Sequence, residues 1–497
     1  MSFPVLAPAE AAELIAHGAR IGFSGFTPAG SAKAIPRALA VRAESEHAAG
    51  RPFRVGVLTG ASTGPSLDGA LAAALAIQFR TPYQSDPLLR KQINSGEVEF
   101  VDLHLSTLPQ ALRYGHLGKL DWAVVEVAEV SANGEAVLTT SVGASNTYLR
   151  SAERVLLEVN RRAPAALRGF HDLFEPEDPP TRRELPIFNV EDRAGLPVAQ
   201  IPPEKIAGVV YTDEVDECGS FGPATEVTAR IGAHIADFLA AERLAGRIPN
   251  GFLPLQSGVG EVANSVLAAL GAHPYIPVFA MYTEVLQDSV LELLLSGRIR
   301  FASTSALTLS PASQERFFAE LEYFRPRVVL RPQEISNHPE IVRRLGLISL
   351  NTAIEFDLCG NVNSTHVLGR NLMNGLGGSG DFTRNAYLSI FSCASTTKGG
   401  AISTVVPLVS HCDHNEHSVQ VVVTEQGVAD LRGLDPWQRA RRIIERCAHP
   451  NYREGLLAYL AQCPPGHQPL DHRSALSWHE RFAATGTMLA KQDAVLT

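Results

Sequence analysis

Glu284 closes the apolar run VFAMYT, and Asp288 follows four residues later in TEVLQD. A carboxylate at the end of a buried strand is shielded from water, and a desolvated carboxylate is a nucleophile or a general base. A plainer role suits the position equally well: an acidic residue at a strand-to-helix junction favours the positive end of the helix, an effect worth about 0.3–1 kcal/mol. Asp288, one helical turn further on, is expected to hold local geometry rather than share the chemistry. Glu425, in VVVTEQGVADLRG, also ends a strand before a turn, so two strand-end carboxylates face one cleft or each sits in a solvated turn. Asn337, in RPQEISNHPE, is of a type that caps helix starts.

Two glycine-bearing segments offer backbone donors. In QSGVGEVANSV, Gly258, Val259 and Gly260 precede a helix. Outward N–H groups there receive an anion or a developing oxyanion, unless the segment is only a tight packing turn. NGLGGSGDF, residues 374–382, carries Gly375, Gly377, Gly378 and Gly380, so a ligand or another loop approaches this backbone closely. It matches neither GxGxxG with a downstream acidic residue nor GxxxxGK[ST], which argues against NAD and nucleoside triphosphates. SHCDHNEH, residues 410–417, offers His411, Cys412, Asp413, His414, Glu416 and His417 as ligands. Its spacing fits no zinc pattern and it reads as a polar connection between two strands, so no metal is expected.

Residues so far apart need rigid elements to bring them together. RIGFSGF, FRVGVLTGAST, VEFVDLHLS and LDWAVVEVAEV read as apolar strands, most of them followed by helical periodicity, and SANGEAVL reads as a polar loop. The scheme repeats in FLPLQSGVG, IPVFAMYTEV and FASTSALTLS, each leading into a helix. Strands alternating with helices predict parallel sheet with ligands beyond the carboxyl ends of the strands. EPEDPPTRRELP, residues 175–186, is a loop or lid within the first half, because IAGVVYTDEVDE still completes that half as a strand. The expected organisation is two α/β domains, residues 1–222 and 223–497, with a groove between them.

The composition narrows the function classes. The 497 residues exceed one small core, and 43 Lys and Arg against 52 Asp and Glu give a net charge of −9, with no overall basis for wrapping nucleic acid. The six cysteines form no close CxxC pair and are expected to be reduced thiols. The first residues lack the pattern of a secretory signal and no run of 18 apolar residues occurs, so a cytoplasmic protein without membrane association is expected.

Taken in order, FSGFTPAGSAKA, SVGASNTYL, PLQSGVGEVANSV, MYTEVLQDSV, RPQEISNHPE, NGLGGSGDF and VTEQGVADLRG resemble the acetyl-CoA hydrolase/transferase group of class I coenzyme A transferases. The resemblance is strongest to its bacterial branch that exchanges CoA between succinate and acetate or propionate. It implies two related open α/β domains with the active site in the groove between them, and a homodimer. It also implies that Glu284 attacks the acyl-CoA thioester, with oxyanion donors from the Gly378 N–H and from Val259 or its immediate neighbour. Asn337 and Glu425 match supporting residues of the site, and Gly258, Gly260, Gly377 and Gly380 belong to its binding loops. Lys398, in TTKGG, is a candidate polar contact for CoA or an ordinary solvated lysine. CoA is then a substrate that forms a covalent enzyme intermediate, and no separate cofactor is implied. Acyl-CoA hydrolysis by the same glutamate is the alternative. One departure is that residues 212–227, TDEVDECGSFGPATEV, lack the arginine some acetate-using relatives carry, which favours the propionyl-CoA and succinate branch.

Overall fold

The computed structural model describes residues 3–219 and 222–490. Two large sheets organise the chain. In the first, the order runs Glu99–Phe100, Ile77–Thr81, Val55–Leu58, Arg20–Phe23, Trp122–Val130, Arg154–Asn160, Ile206–Thr212, all parallel. The parallel arrangement follows from composition: VGVL and most of WAVVEVAEV are buried along their length, as strands covered on both faces must be.

The second sheet runs Val328–Leu330, Ile299–Thr304, Phe279–Tyr282, Leu255–Ser257, Ile348–Thr352, Leu388–Ser392, Val421–Thr424, again parallel, and ends in the antiparallel strand Gly427–Asp430. The helices Glu226–Leu244 and Glu261–Ala272 pack closely against each other: a Cβ on Gly232 would lie 2.6 Å from the Ser265 carbonyl oxygen. A continuous apolar cluster joins the halves, with Leu58, Val125, Leu255 and Leu330 all buried in it.

Each sheet reverses its winding direction once. In the first, Arg20–Phe23 lies beside Trp122–Val130; in the second, Leu255–Ser257 lies beside Ile348–Thr352. At such a switch point the following loops part on opposite faces and leave a crevice at the carboxyl edge. The loops after Phe23, Ser257 and Thr352 are therefore the ones placed to build a site.

Two readings of local structure are corrected. SANGEAVL is not a loop throughout: Glu135–Leu138 is a strand paired antiparallel with Trp122–Val130, turned by Asn133 and Gly134 at φ 79°. The Asn-Gly pair is a hairpin signal that the polar composition obscured. VEFVDLHLS forms strand only at Glu99–Phe100, on the sheet edge, and Asp102 and His104 turn toward the second half. Residues 175–186 carry no helix or strand, and two of them, Glu175 and Asp178, form ion pairs with Arg113 at 3.2 and 3.0 Å. The strands of the first sheet end at Thr212 and those of the second begin at Leu255. Residues 220–221, next to the expected junction at 222, lie outside the described residues.

Candidate active site

Glu284 sits in the loop between the strands Phe279–Tyr282 and Val285–Gln287, not yet in the helix, which begins at Asp288. Its carbonyl oxygen accepts from the N–H groups of Ser305 and Ala306 at 2.8 and 3.1 Å and from Thr304 Oγ1 at 2.8 Å. The backbone is thus pinned, and the side chain projects into a cavity of about 500 Å³ at the carboxyl edges of both sheets. Asp288 does hold local geometry: its Oδ1 accepts from the Ser310 N–H at 2.9 Å.

The cavity draws on both switch points, with Phe26 and Thr27 from the first sheet and Val259 and Thr352 from the second. Among its described lining residues none is Lys or Arg. Burial therefore pushes the Glu284 carboxyl up to about 7; a hydrogen bond from Asn337 opposes the shift and the Asp381 charge adds to it. Burial likewise raises Cys218 and Tyr83, so both face the cavity as neutral groups. Glu284 is the lining group whose charge changes near neutrality.

Asn337 donates through Nδ2 to Glu284 Oε1. The capping role open to it is not realised, because His338 caps the helix Pro339–Leu345 through Nδ1 instead. Asn337→Ala is expected to lower kcat by about 10–100-fold, the worth of a hydrogen bond to a charged group. The bond favours the anion, so its loss raises the Glu284 pKa further. Burial of Glu284 leads us to expect the acid limb of kcat/KM near pH 7 in the parent enzyme, and in the variant it should move to higher pH; a profile unchanged between about pH 5 and pH 9 would contradict this role.

Gly378 packs against the carboxylate so tightly that a Cβ there would overlap Glu284 Oε1 and Asn337 Nδ2. Neither its N–H nor that of Val259 has a hydrogen-bond acceptor among the described residues, and both residues line the cavity. Gly258 lines it too, but its N–H is taken by the Leu350 carbonyl at 3.1 Å, leaving Val259 as the donor of that loop. Gly260, at φ 113°, caps the helix Glu261–Ala272. Gly377 lines the cavity at φ 65°, and its carbonyl accepts from the Leu105 N–H at 3.4 Å. A Cβ on Gly380 would overlap His104, so that glycine allows the halves to meet.

Of the expected residues, Gly260, Asn337, Gly380, Glu425 and Lys398 are not among the lining, and the last two take no part in the contacts described above. Glu425 stands on the same carboxyl edge, after the strand Val421–Thr424, and accepts from the Ser395 N–H at 2.8 Å, from Ser395 Oγ and from Gln426 Nε2 at 2.9 Å. Burial works against its charge, but the Ser395 and Gln426 donors prevail and hold the carboxyl below its ordinary value. Lys398 Nζ lies 5.0 Å from the ring centre of Phe482.

In the histidine-rich segment, His414 Nε2 meets Ser379 Oγ at 3.0 Å, directly behind Gly378. His411 and Asp413 gather with His366, their ligand atoms within 4.8 Å of one another. Asp413 already accepts from the Ser364 N–H at 2.6 Å and from Thr365 Oγ1 at 2.8 Å. Sequence reasoning passed over Asp381, although it lies in GGSGDF, and over Ser106 and His104, hidden in a segment read as strand.

Two parallel sheets meeting at their carboxyl edges over a buried glutamate define the class I CoA-transferase fold. Solved structures bear this out: RipA from Yersinia pestis matches with a TM-score of 0.70 at 23% identity, covering 92% of this chain and 96% of that one. The 4-hydroxybutyrate CoA-transferase from Porphyromonas gingivalis matches with a TM-score of 0.62 at 21% identity, covering 92% and 97%. Residues 4–211 match the acetyl-CoA hydrolase/transferase N-terminal domain and residues 314–460 its C-terminal domain. The chain belongs to the acetyl-CoA hydrolase/transferase family. It is 50% identical to the propanoyl-CoA:succinate CoA transferase of Escherichia coli over 97% of its length and 98% of that protein's. Identity is 43% to the succinyl-CoA:acetate CoA-transferase of Clostridium kluyveri, covering 96% and 89%. It is 39% to the acetyl-CoA hydrolase of Schizosaccharomyces pombe, covering 97% and 95%.

Proposed function

We propose that the protein exchanges CoA between succinate and a short-chain carboxylate, propionate ahead of acetate, with Glu284 as the nucleophile. The observation that carries this reading is a pinned, desolvated carboxylate in a cavity with two backbone N–H groups that have no acceptor among the described residues. In the first step the Glu284 carboxylate attacks the thioester carbonyl and the C–S bond breaks, giving an acyl-glutamyl anhydride and CoA thiolate. The thiolate attacks the glutamyl carbonyl, releasing the donor carboxylate and leaving a glutamyl-CoA thioester. The acceptor carboxylate attacks that thioester to form a new anhydride and free the thiolate. Attack of the thiolate on the acyl carbonyl then yields the new acyl-CoA and restores Glu284. Every step exchanges one anion for another, so no net proton transfer is required. The Val259 and Gly378 N–H groups suit the oxyanion that develops in each addition.

A carboxylate fits this task better than a hydroxyl. Its thioester retains the free energy of the substrate's, so transfer stays reversible, and ping-pong kinetics follow. Propionate is preferred because the 50% identical relative is named for propanoyl-CoA and succinate, and because residues 212–227 lack an arginine.

Hydrolysis is the second reading, favoured by the relatives named acetyl-CoA hydrolase. A matrix of acetyl-, propionyl- and succinyl-CoA against acetate, propionate and succinate, read by mass spectrometry, separates the two. Exchange that needs a carboxylate acceptor is the expected result. Rapid CoA release without acceptor, and no new acyl-CoA with one, would reject transfer. We further take the enzyme to work as a cytoplasmic homodimer, and a monomer mass by light scattering at assay concentration would refute the dimer. No described helix is long and apolar enough to cross a membrane.

A further inference from the structure

A second buried carboxylate, unused by the chemistry above, stands behind Asn337. Asp381, on the short helix Ser379–Thr383, is 4% exposed. Its Oδ2 accepts from the Ser106 N–H at 3.0 Å and from Asn337 Nδ2 at 3.4 Å, and its Oδ1 accepts from Ser106 Oγ at 2.6 Å. The same Asn337 Nδ2 donates to Glu284, and Asn337 Oδ1 accepts from Ser336 Oγ at 2.9 Å. Both N–H bonds of the amide and its oxygen thus have partners. Turned over, the amide would set its oxygen against two carboxylates, so ionised Asp381 admits only the orientation that leaves a donor on Glu284.

We propose that Asp381 is a positioning residue for Glu284, acting through the Asn337 amide and anchored on Ser106 of the first half. The inference rests on Glu284 being the nucleophile. A single bond to Glu284 would leave the Asn337 amide free to swing, and small displacements of a reacting group are expensive in rate. Ser106 lies after the edge strand of the first sheet, so the nucleophile is set correctly when the two halves are docked.

The charged and titratable groups around this array are Glu284 and Asp381 themselves, Asp102 on the Leu376 N–H, His104, His414 and Tyr83. His104 Nδ1 lies 3.9 Å from Asp381 Oδ1, and His414 lies beside Ser379. With burial also raising Asp381, the Asp381 charge adds to burial in opposing ionisation of Glu284.

Steady-state exchange by the purified full-length enzyme tests this in the variants N337A, D381A, D381A/N337A and D381N. Alanine at 381 removes the acceptor, so kcat is expected to fall about 10–100-fold with both KM values within about threefold. If Asp381 acts through Asn337, the double variant is no slower than N337A alone. Asparagine at 381 keeps an oxygen in the place of Oδ2 and discards the charge. It should restore most of the loss and move the acid limb of kcat/KM to lower pH, because the anion opposing Glu284 is gone. A purely structural role would leave that limb in place. Losses that multiply in the double variant, or a D381N limb that coincides with the wild type's, would overturn the assignment. D381N carries the test alone if the alanine variant does not fold. A wild-type enzyme that neither exchanges CoA nor becomes labelled at Glu284 would defeat the proposed function and this inference with it. Labelled, active wild type confines any failure to Asp381.

Discussion

Glu284→Ala is expected to abolish CoA exchange, lowering kcat by about 10⁴-fold or more, since no other group can take the place of a covalent nucleophile. Among the described lining residues the remaining ionisable groups, Cys218 and Tyr83, are held neutral by burial, and neither can form a reversible anhydride. In the parent enzyme, acyl-CoA alone should leave CoA on residue 284 as a thioester; borohydride reduces that thioester to the alcohol and releases the CoA thiol, and peptide mass spectrometry locates the reduced residue. Undiminished exchange in the alanine variant would end the assignment.

The isosteric Glu284→Gln variant adds a stability readout with a definite sign. The folded-state pKa of Glu284, about 7, lies above its ordinary value of 4.5, so the folded protein holds more protons than the unfolded one between those values. Stability from this group is therefore greatest below the ordinary carboxylate range and is lost as pH rises through about 7. The glutamine variant should melt at a higher temperature than wild type at about pH 8, and the gap should close on acidification. A gap independent of pH would mean that Glu284 is not desolvated in the resting enzyme.

Gly378→Ala is the second large effect. The backbone at Gly378 has φ −95° and ψ −1°, which alanine adopts without strain. The added methyl meets the Glu284 carboxylate and the Asn337 amide. The ends of both the Glu284 and the Asn337 side chains must shift to admit it, and their new positions break the alignment of the Glu284 carboxylate, Asn337 and the residue 378 N–H. We expect kcat to fall by about 10²–10³-fold, the worth of an oxyanion donor. The melting temperature should stay within about 3 °C of wild type. Gly377→Ala makes a useful contrast: at φ 65° it strains the backbone and should cost stability as well. Activity of the Gly378 variant within about threefold of wild type would remove this residue from the chemistry.

Much of the molecule is legible in its sequence. Apolar runs alternating with helical periods announced two parallel sheets, because a strand buried on both faces must be apolar throughout. Glu284 was visible as a carboxylate ending such a run, and the crowding of Gly378 was visible as an excess of glycine. Where composition spoke less clearly, it misled: the Asn133–Gly134 hairpin hid inside a polar stretch, and Asp102 and His104 hid inside an apparent strand.

Other features arose only when distant segments were brought together. Nothing in RPQEISNHPE distinguishes a helix cap from a donor to Glu284; His338 takes the cap and frees Asn337 to donate to the Glu284 carboxylate. Nothing in GGSGDF tells that Asp381 binds Ser106, 275 residues earlier, and nothing in QSGVG tells that Gly258 donates its N–H to Leu350 while that of Val259 has no acceptor among the described residues. A sequence specifies which groups can be buried, since burial follows from local periodicity and apolar content. Which buried groups share a hydrogen bond is decided by how two sheets dock, because the geometry of a bond a few ångströms long depends on every packed contact between the segments that carry it.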